Sequence, residues 1–315
     1  MAMNLPAGAR LIALGNDVTL LQLDSGSCSA TLSLLGGQLL SFQPYGQQPW
    51  LYMSPQALLQ AGKAIRGGVP VCWPWFGPHP TDDGAPAHGL ARQQLWTLQA
   101  VLREGDAFHV KLQGPDWQGL AVVLEYTLSD HIDISLHTRN DSTQEQTFSA
   151  ALHSYLAVGD SRRIRLHGLE GAVCEDKVGR RYSRLPAQAL TLQGEFDAIV
   201  YSEADVLLED PQWQRRLRIS RSGSASVVVW NPWQDKAARL ADLPDTGWQD
   251  FVCIEAANAG EDSRLLRRGQ PQPVLPAEPG VSGPRTIPGP CLSATLADRV
   301  YCTPSRQHGV EVDSL

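Results

Sequence analysis

The sequence predicts an all-β protein, a large antiparallel β-sandwich with few short helices. Three observations carry this. Residues 120–141, LAVVLEYTLSDHIDISLHTRND, place apolar side chains at alternate positions on both sides of a short polar break. Strand-like runs recur along the chain, with turn residues between them at intervals of about ten residues. No β–α–β alternation and no G-x-G-x-x-G is present, which excludes a dinucleotide-binding parallel sheet.

The elements follow in order. VTLLQL (18–23) and CSATLSLLGGQLLSFQP (28–44) are the first strand-like runs. SPQALLQAGK (54–63) predicts a short helix, with Ser54 as N-cap and Pro55 at the first helical position. IRGGVPVCWPWFGPHP (65–80) must be irregular, because Pro70, Pro74 and Pro78 each remove a backbone donor. LWTLQAVL and FHVKLQG come next. In the hairpin, Leu120, Val122, Leu124, Tyr126 and Leu128 alternate before the break, and Ile132, Ile134 and Leu136 after it. RIRLHGL, ADVLLED, RRLRISRS and SASVVVW continue the series, and PWQDKAARLAD (232–242) predicts a second helix. A Pro/Gly-rich stretch covers 268–290. The expected organisation is one β-sandwich domain over 1–290 and a C-terminal tail over 291–315, its last part on the surface or disordered.

Composition limits the function. Of 315 residues, 43% are hydrophobic and 19% charged, ample for a core. Lys plus Arg is 26 against 33 for Asp plus Glu, giving a net charge of −7 and excluding a general nucleic-acid binder. An anionic ligand must then be held by a few local cations. No signal-peptide pattern and no apolar run of membrane-spanning length is read, so a cytoplasmic location is expected. The six cysteines are scattered without a C-x-x-C pair, as in a reducing compartment.

Several polar groups stand in apolar surroundings. Glu255 follows FVCI; burying an unpaired carboxylate costs roughly 1 kcal/mol upward. Burial also raises its pKa, which suits a general base near neutral pH. The plainer reading is a strand-end glutamate turned to solvent. His153, in SAALHSYL, is either a satisfied structural histidine or a proton donor. His88 precedes Gly89, whose backbone freedom permits close approach of a ligand. Arg66 and Arg92 offer planar forks to a phosphate or carboxylate. Trp73, Trp75 and Phe76 can wall a sugar pocket or simply plug the end of a sandwich. Cys72, His79, His88 and His153 match no familiar metal spacing, so no metal is expected. A serine-hydrolase elbow is missing, and Asp197 with Glu255 imitates a glycosidase pair on sequence alone.

In this order, IRGGVPVCWPWFG, AHGLAR, ALHSYL, FDAIVY and VVWNPWQDKAARLADLPDTGWQDFVCIEAANAG resemble the hexose-6-phosphate mutarotases, or glucose-6-phosphate 1-epimerases. These form a branch of the aldose 1-epimerase superfamily related to galactose mutarotase. The resemblance runs from about residue 15 to about 288, and it implies the galactose mutarotase-like supersandwich. It implies no cofactor, and interconversion of the α and β anomers of aldohexose 6-phosphates. Residue by residue, it implies that His153 protonates the ring oxygen and Glu255 takes the proton of the C1 hydroxyl. His88 then hydrogen-bonds the sugar, Asp197 orients its hydroxyls, and Arg66 and Arg92 lie near the phosphate. Trp75 and Phe76 are expected to wall the sugar. Acid and base are expected on opposite sides of the pyranose, and the protein as a monomer. The competing expectation is a non-catalytic sugar-phosphate binding protein on the same fold.

Overall fold

The alternating segment at 120–141 forms the hairpin its pattern predicts. Leu120–Leu128 pairs antiparallel with Ile132–Asn140, and every second side chain is buried on each strand. The computed structural model describes residues 4–15, 18–267 and 293–303.

Two eight-stranded antiparallel sheets and one four-stranded sheet hold most of the described strand residues. The first large sheet runs Arg181–Arg184, Val173–Asp176, Phe196–Tyr201, Ser226–Asn231, Phe251–Asn258, Ala150–Leu152 and Val71–Cys72, and Tyr155–Ala157 also pairs with Phe251–Asn258. The second holds the hairpin in the order Arg165–His167, Val206–Asp210, Arg215–Ser222, Ser293–Thr303, Ile132–Asn140, Leu120–Leu128, Ala107–Trp117 and Thr97–Glu104. The N-terminal sheet is a meander of Ala9–Gly15, Val18–Asp24, Cys28–Ser33 and Gln38–Pro44.

One core unites them. Leu124 and Leu136 from the hairpin, Val227, Val229 and Ile254 from the first sheet, and Leu21 and Phe42 from the N-terminal sheet share a single buried cluster. Each such side chain contributes roughly 1.5–3 kcal/mol by leaving water.

Three expectations need correction. Residues 54–63 are not helical. The first turn starts as expected, with Ser54 Oγ accepting the Gln56 N–H at 3.2 Å. Ala57 and Leu59 then pack against Val18, Leu20, Leu40 and Ile65. That packing outweighs the weak stability of a ten-residue helix. At 232–242, only Trp233–Ala237 is helical.

The third concerns the C-terminal boundary. Ser293–Thr303 is a strand inside the second sheet, paired with Ile132–Asn140 on one side and Arg215–Ser222 on the other. The expected limit at 290 therefore cuts off part of the sheet. The surface or disordered ending expected for the tail concerns residues 304–315, which lie outside the described residues.

Candidate active site

The strand Phe251–Asn258 is buried on both faces. Its period-two alternation sends Val252, Ile254 and Ala256 into the core between the sheets. Phe251, Cys253 and Ala257 belong to apolar clusters on the opposite face. Glu255 falls on that opposite face, between aromatic residues on one side and small ones on the other. It is 1% exposed.

His153 is brought there by the strand register. Leu152 pairs with Ala256 and Tyr155 pairs with Cys253, so His153 and Ser154 between them stand opposite Glu255 and Ile254. The Ile254 N–H donates to Ser154 O at 3.2 Å, while the His153 N–H donates to Pro70 O at 2.9 Å. His153 Nε2 stands 3.2 Å from Glu255 Oε1. The approach is close, but neither Glu255 oxygen nor His153 Nδ1 has a hydrogen-bond partner among the described residues.

This separation corrects the expected layout, because no pyranose ring fits between groups so close. The two side chains stand side by side.

Burial dominates the electrostatics. It pushes Glu255 well above its ordinary range, and the Asp197 charge adds to this while Arg92 opposes it. It holds His153 well below 6.5, helped by His88, Arg92 and Arg66. The pair thus favours its neutral form, one proton on the carboxyl and none added to the imidazole.

Aromatic rings fix the imidazole. Tyr155 stacks on His153 with centroids 4.9 Å apart and planes 12° apart, and Trp230 meets it edge-on at 5.9 Å. Arg66 Nη1 donates to the Tyr155 hydroxyl at 3.0 Å, and its Nε to Asp242 Oδ1 at 3.2 Å. Arg66 is therefore half-neutralised and tied to the imidazole through Tyr155. Arg92 Nη2 donates to Ala87 O at 2.6 Å, while its Nε has no partner among the described residues.

His88 closes another side, its ring centroid 6.1 Å from that of His153. Burial, then Arg92 and Arg66, lower it to about 3, so it is neutral. The Gly77 N–H donates to His88 Nδ1 at 3.3 Å. The remaining proton then lies on Nε2, which is left as a hydrogen-bond donor. His88 itself has φ 65° and Gly89 φ 76°. A Cβ on Gly89 would lie 2.0 Å from Trp73 O, which also accepts the Leu90 and Ala91 N–H groups. This close approach stitches AHGLAR to CWPWFG. Gly89→Ala is expected to cost more than ~2 kcal/mol in denaturant unfolding, since both sterics and positive φ oppose it.

A cavity of about 540 Å³ is lined by Phe76, His88 and Asp197 and by Lys177, Arg180, Arg181 and Tyr182; His153, Glu255, Arg66 and Arg92 are not among its lining residues, and the pair approaches it through His88. Burial raises the Asp197 pKa, opposed by Lys236, whose Nζ lies 3.7 Å away. Trp75 is not among the lining residues. Its indole donates to Pro86 O at 3.0 Å and packs on His79 and Trp117, so it braces the loop. Trp73 is a core residue, bonded to Thr138.

His153, Glu255, His88, Asp197 and Phe76 are thus gathered at one place, with Arg66 and Arg92 beside them. Sequence reasoning missed Tyr155, Trp230 and Asp242, which hold the imidazole and Arg66. Tyr155 had a signal, standing two residues from His153. The metal set Cys72, His79, His88 and His153 is not assembled among the described residues; the one potential ligand cluster there is His153, Cys253 and Glu255.

Comparison with known proteins follows the same line. A family model described as aldose 1-epimerase matches residues 19–272. An Escherichia coli protein named "Putative glucose-6-phosphate 1-epimerase" is 31% identical, the alignment spanning 80% of this chain and 87% of that protein. A Salmonella typhimurium protein of the same name is 29% identical, over 78% and 84%. Among solved structures, a "putative mutarotase" from Salmonella typhimurium superposes with a TM-score of 0.82 at 24% identity, over 96% of both chains. A galactose mutarotase-like protein from Clostridium acetobutylicum gives 0.64 at 14%, over 94% of this chain and 98% of that one. At such identities these structures speak for the fold alone.

Proposed function

The chain belongs to the aldose 1-epimerase family, and from that premise we propose that it interconverts the α and β anomers of glucose 6-phosphate. The observation that carries this reading is the buried His153–Glu255 pair, 3.2 Å apart and without other partners among the described residues, next to His88, which lines a sugar-sized cavity. A protein that only bound the sugar would have no use for a desolvated acid–base pair.

The reaction needs one proton removed from the C1 hydroxyl and one delivered to the ring oxygen. The pair carries one mobile proton. When a sugar enters, its hydroxyls donate to the unpartnered carboxylate oxygens, favour the ionised form, and shift the proton to His153. Glu255 then takes the C1 hydroxyl proton as His153 protonates the ring oxygen, and the C1–O5 bond breaks. The open aldehyde turns about C1–C2. Reclosure on the other face returns both protons, with the roles exchanged. His88 Nε2–H donates to a sugar oxygen, Asp197 accepts from hydroxyls, and Phe76 lies against the apolar C–H face.

We assign Arg92 to the phosphate; in support, its Nε has no partner among the described residues and its field reaches the pair. Arg92→Ala is expected to raise KM for glucose 6-phosphate about ten- to a hundredfold and leave free glucose nearly unaffected, the loss of one charge-assisted bond. Arg66→Ala should lower kcat as well, because Arg66 also holds Tyr155. Equal effects of Arg92→Ala on both sugars would remove it from the phosphate site. We place the enzyme in the cytoplasm as a monomer; among the described residues no helix is long and apolar enough to cross a membrane.

The direct test is to add pure α-glucose 6-phosphate and follow optical rotation or the anomeric NMR signals. Equilibration no faster than in buffer, with tight binding retained, would establish a sugar-phosphate binding protein instead.

A further inference from the structure

Cys253 has no part in the acid–base path. It lies two residues before Glu255 on one strand, so the two side chains leave the same face. One ligand atom from each of His153, Cys253 and Glu255 lies within 4.8 Å of the others, and all three residues are buried. The thiol is 0% exposed, and both carboxylate oxygens lack hydrogen-bond partners among the described residues.

We propose that this triad binds a soft divalent cation, Zn²⁺ foremost, and that occupation switches the enzyme off. The binding site stands on the geometry; the inhibition rests on the acid–base reading above.

The donor set suits zinc, which takes imidazole nitrogen, thiolate sulfur and carboxylate oxygen and often keeps a fourth position open. Tetrahedral bonds of 2.0–2.3 Å put ligand atoms roughly 3.3–3.7 Å apart. His153 Nε2 and Glu255 Oε1 are already 3.2 Å apart. A movement of about 1 Å by the Cys253 or Glu255 side chain, a modest change of torsion, brings in the rest. The charges balance: one thiolate and one carboxylate offset the dication, so the buried cluster is neutral. On binding, the S–H bond breaks, its proton leaves to solvent and a Zn–S bond forms. Any carboxyl proton leaves likewise, and no oxidation state changes.

The surroundings favour an exchangeable inhibitor over a resident cofactor. A permanent zinc-binding histidine normally donates its other ring nitrogen to a partner. His153 Nδ1 has none among the described residues. Bound metal would occupy the lone pairs of Nε2 and Oε1, the two atoms that must move protons.

The test titrates metal-free protein with Zn²⁺ against a chromogenic chelator, and with Cd²⁺ to read the sulfur-to-metal charge-transfer absorption. The expected result is one equivalent bound, the thiolate band present, and anomer exchange lost until EDTA restores it. Cys253→Ala should leave metal-free exchange unchanged, abolish the band and weaken Zn²⁺ binding at least tenfold. Glu255→Gln should weaken binding similarly and serves if the first variant fails to fold. Binding without the band, or affinity unchanged in the folded variants, overturns the site. Full activity with the band present overturns the inhibition. Metal binding with the band in a protein that never exchanges anomers would uphold the site and reject the anomerase reading.

Discussion

Glu255→Gln is expected to slow anomer exchange by about 10²–10⁴-fold, the usual worth of a positioned general base. The amide keeps the shape of the carboxyl group but cannot accept the C1 hydroxyl proton. Stability should move the other way, and the sign follows from the raised pKa. A carboxyl group that holds its proton more tightly in the fold than in the unfolded chain costs nothing below its ordinary value of 4.5. As pH rises from there through the folded pKa, the wild type loses stability. The variant has no such loss, so its Tm should exceed that of the wild type above pH 4.5, with the gap widening towards neutrality. A variant that is inactive and also less stable at pH 7 would mean that the carboxylate is a structural partner, not a desolvated base.

His153→Ala is the companion case. It should lose a similar factor, because the ring oxygen then leaves as an alkoxide without a proton donor. The double variant should fall little below either single one, since one proton is shared by two residues that act as a unit. Losses that simply multiplied would contradict the shared-proton cycle. The stability sign is opposite to that of Glu255. A histidine held well below 6.5 favours folding in its neutral form; that contribution is present above pH 6.5 and is lost as pH falls. His153→Ala should therefore flatten the acid side of a Tm–pH curve. His88, lowered to about 3, contributes to the same slope and remains in the variant.

Much of this site was visible in the chain before its fold was known, and for physical reasons. A carboxylate after FVCI and an imidazole inside SAALHSYL violate the apolar pattern around them, and such violations mark function. The hairpin at 120–141 was equally plain, because both its strands bury one face. Other features were hidden. The 3.2 Å contact arises from cross-strand register between segments about a hundred residues apart, which no local pattern announces. The tie from Arg66 through Tyr155 to His153 joins segments some ninety residues apart in sequence. The helix expected from Ser54 failed because its apolar residues had a better place in a neighbouring cluster. The strand Ser293–Thr303 escaped because Asp298 interrupts its apolar alternation and a Pro/Gly-rich stretch precedes it.

That last strand matters for folding. It fills the interior of a sheet, and its neighbours lie up to about 170 residues away in sequence. Without it the sheet has two open β-edges facing an empty slot, a template for pairing with other chains. Truncation before residue 293 should therefore yield aggregates instead of shortened enzymes.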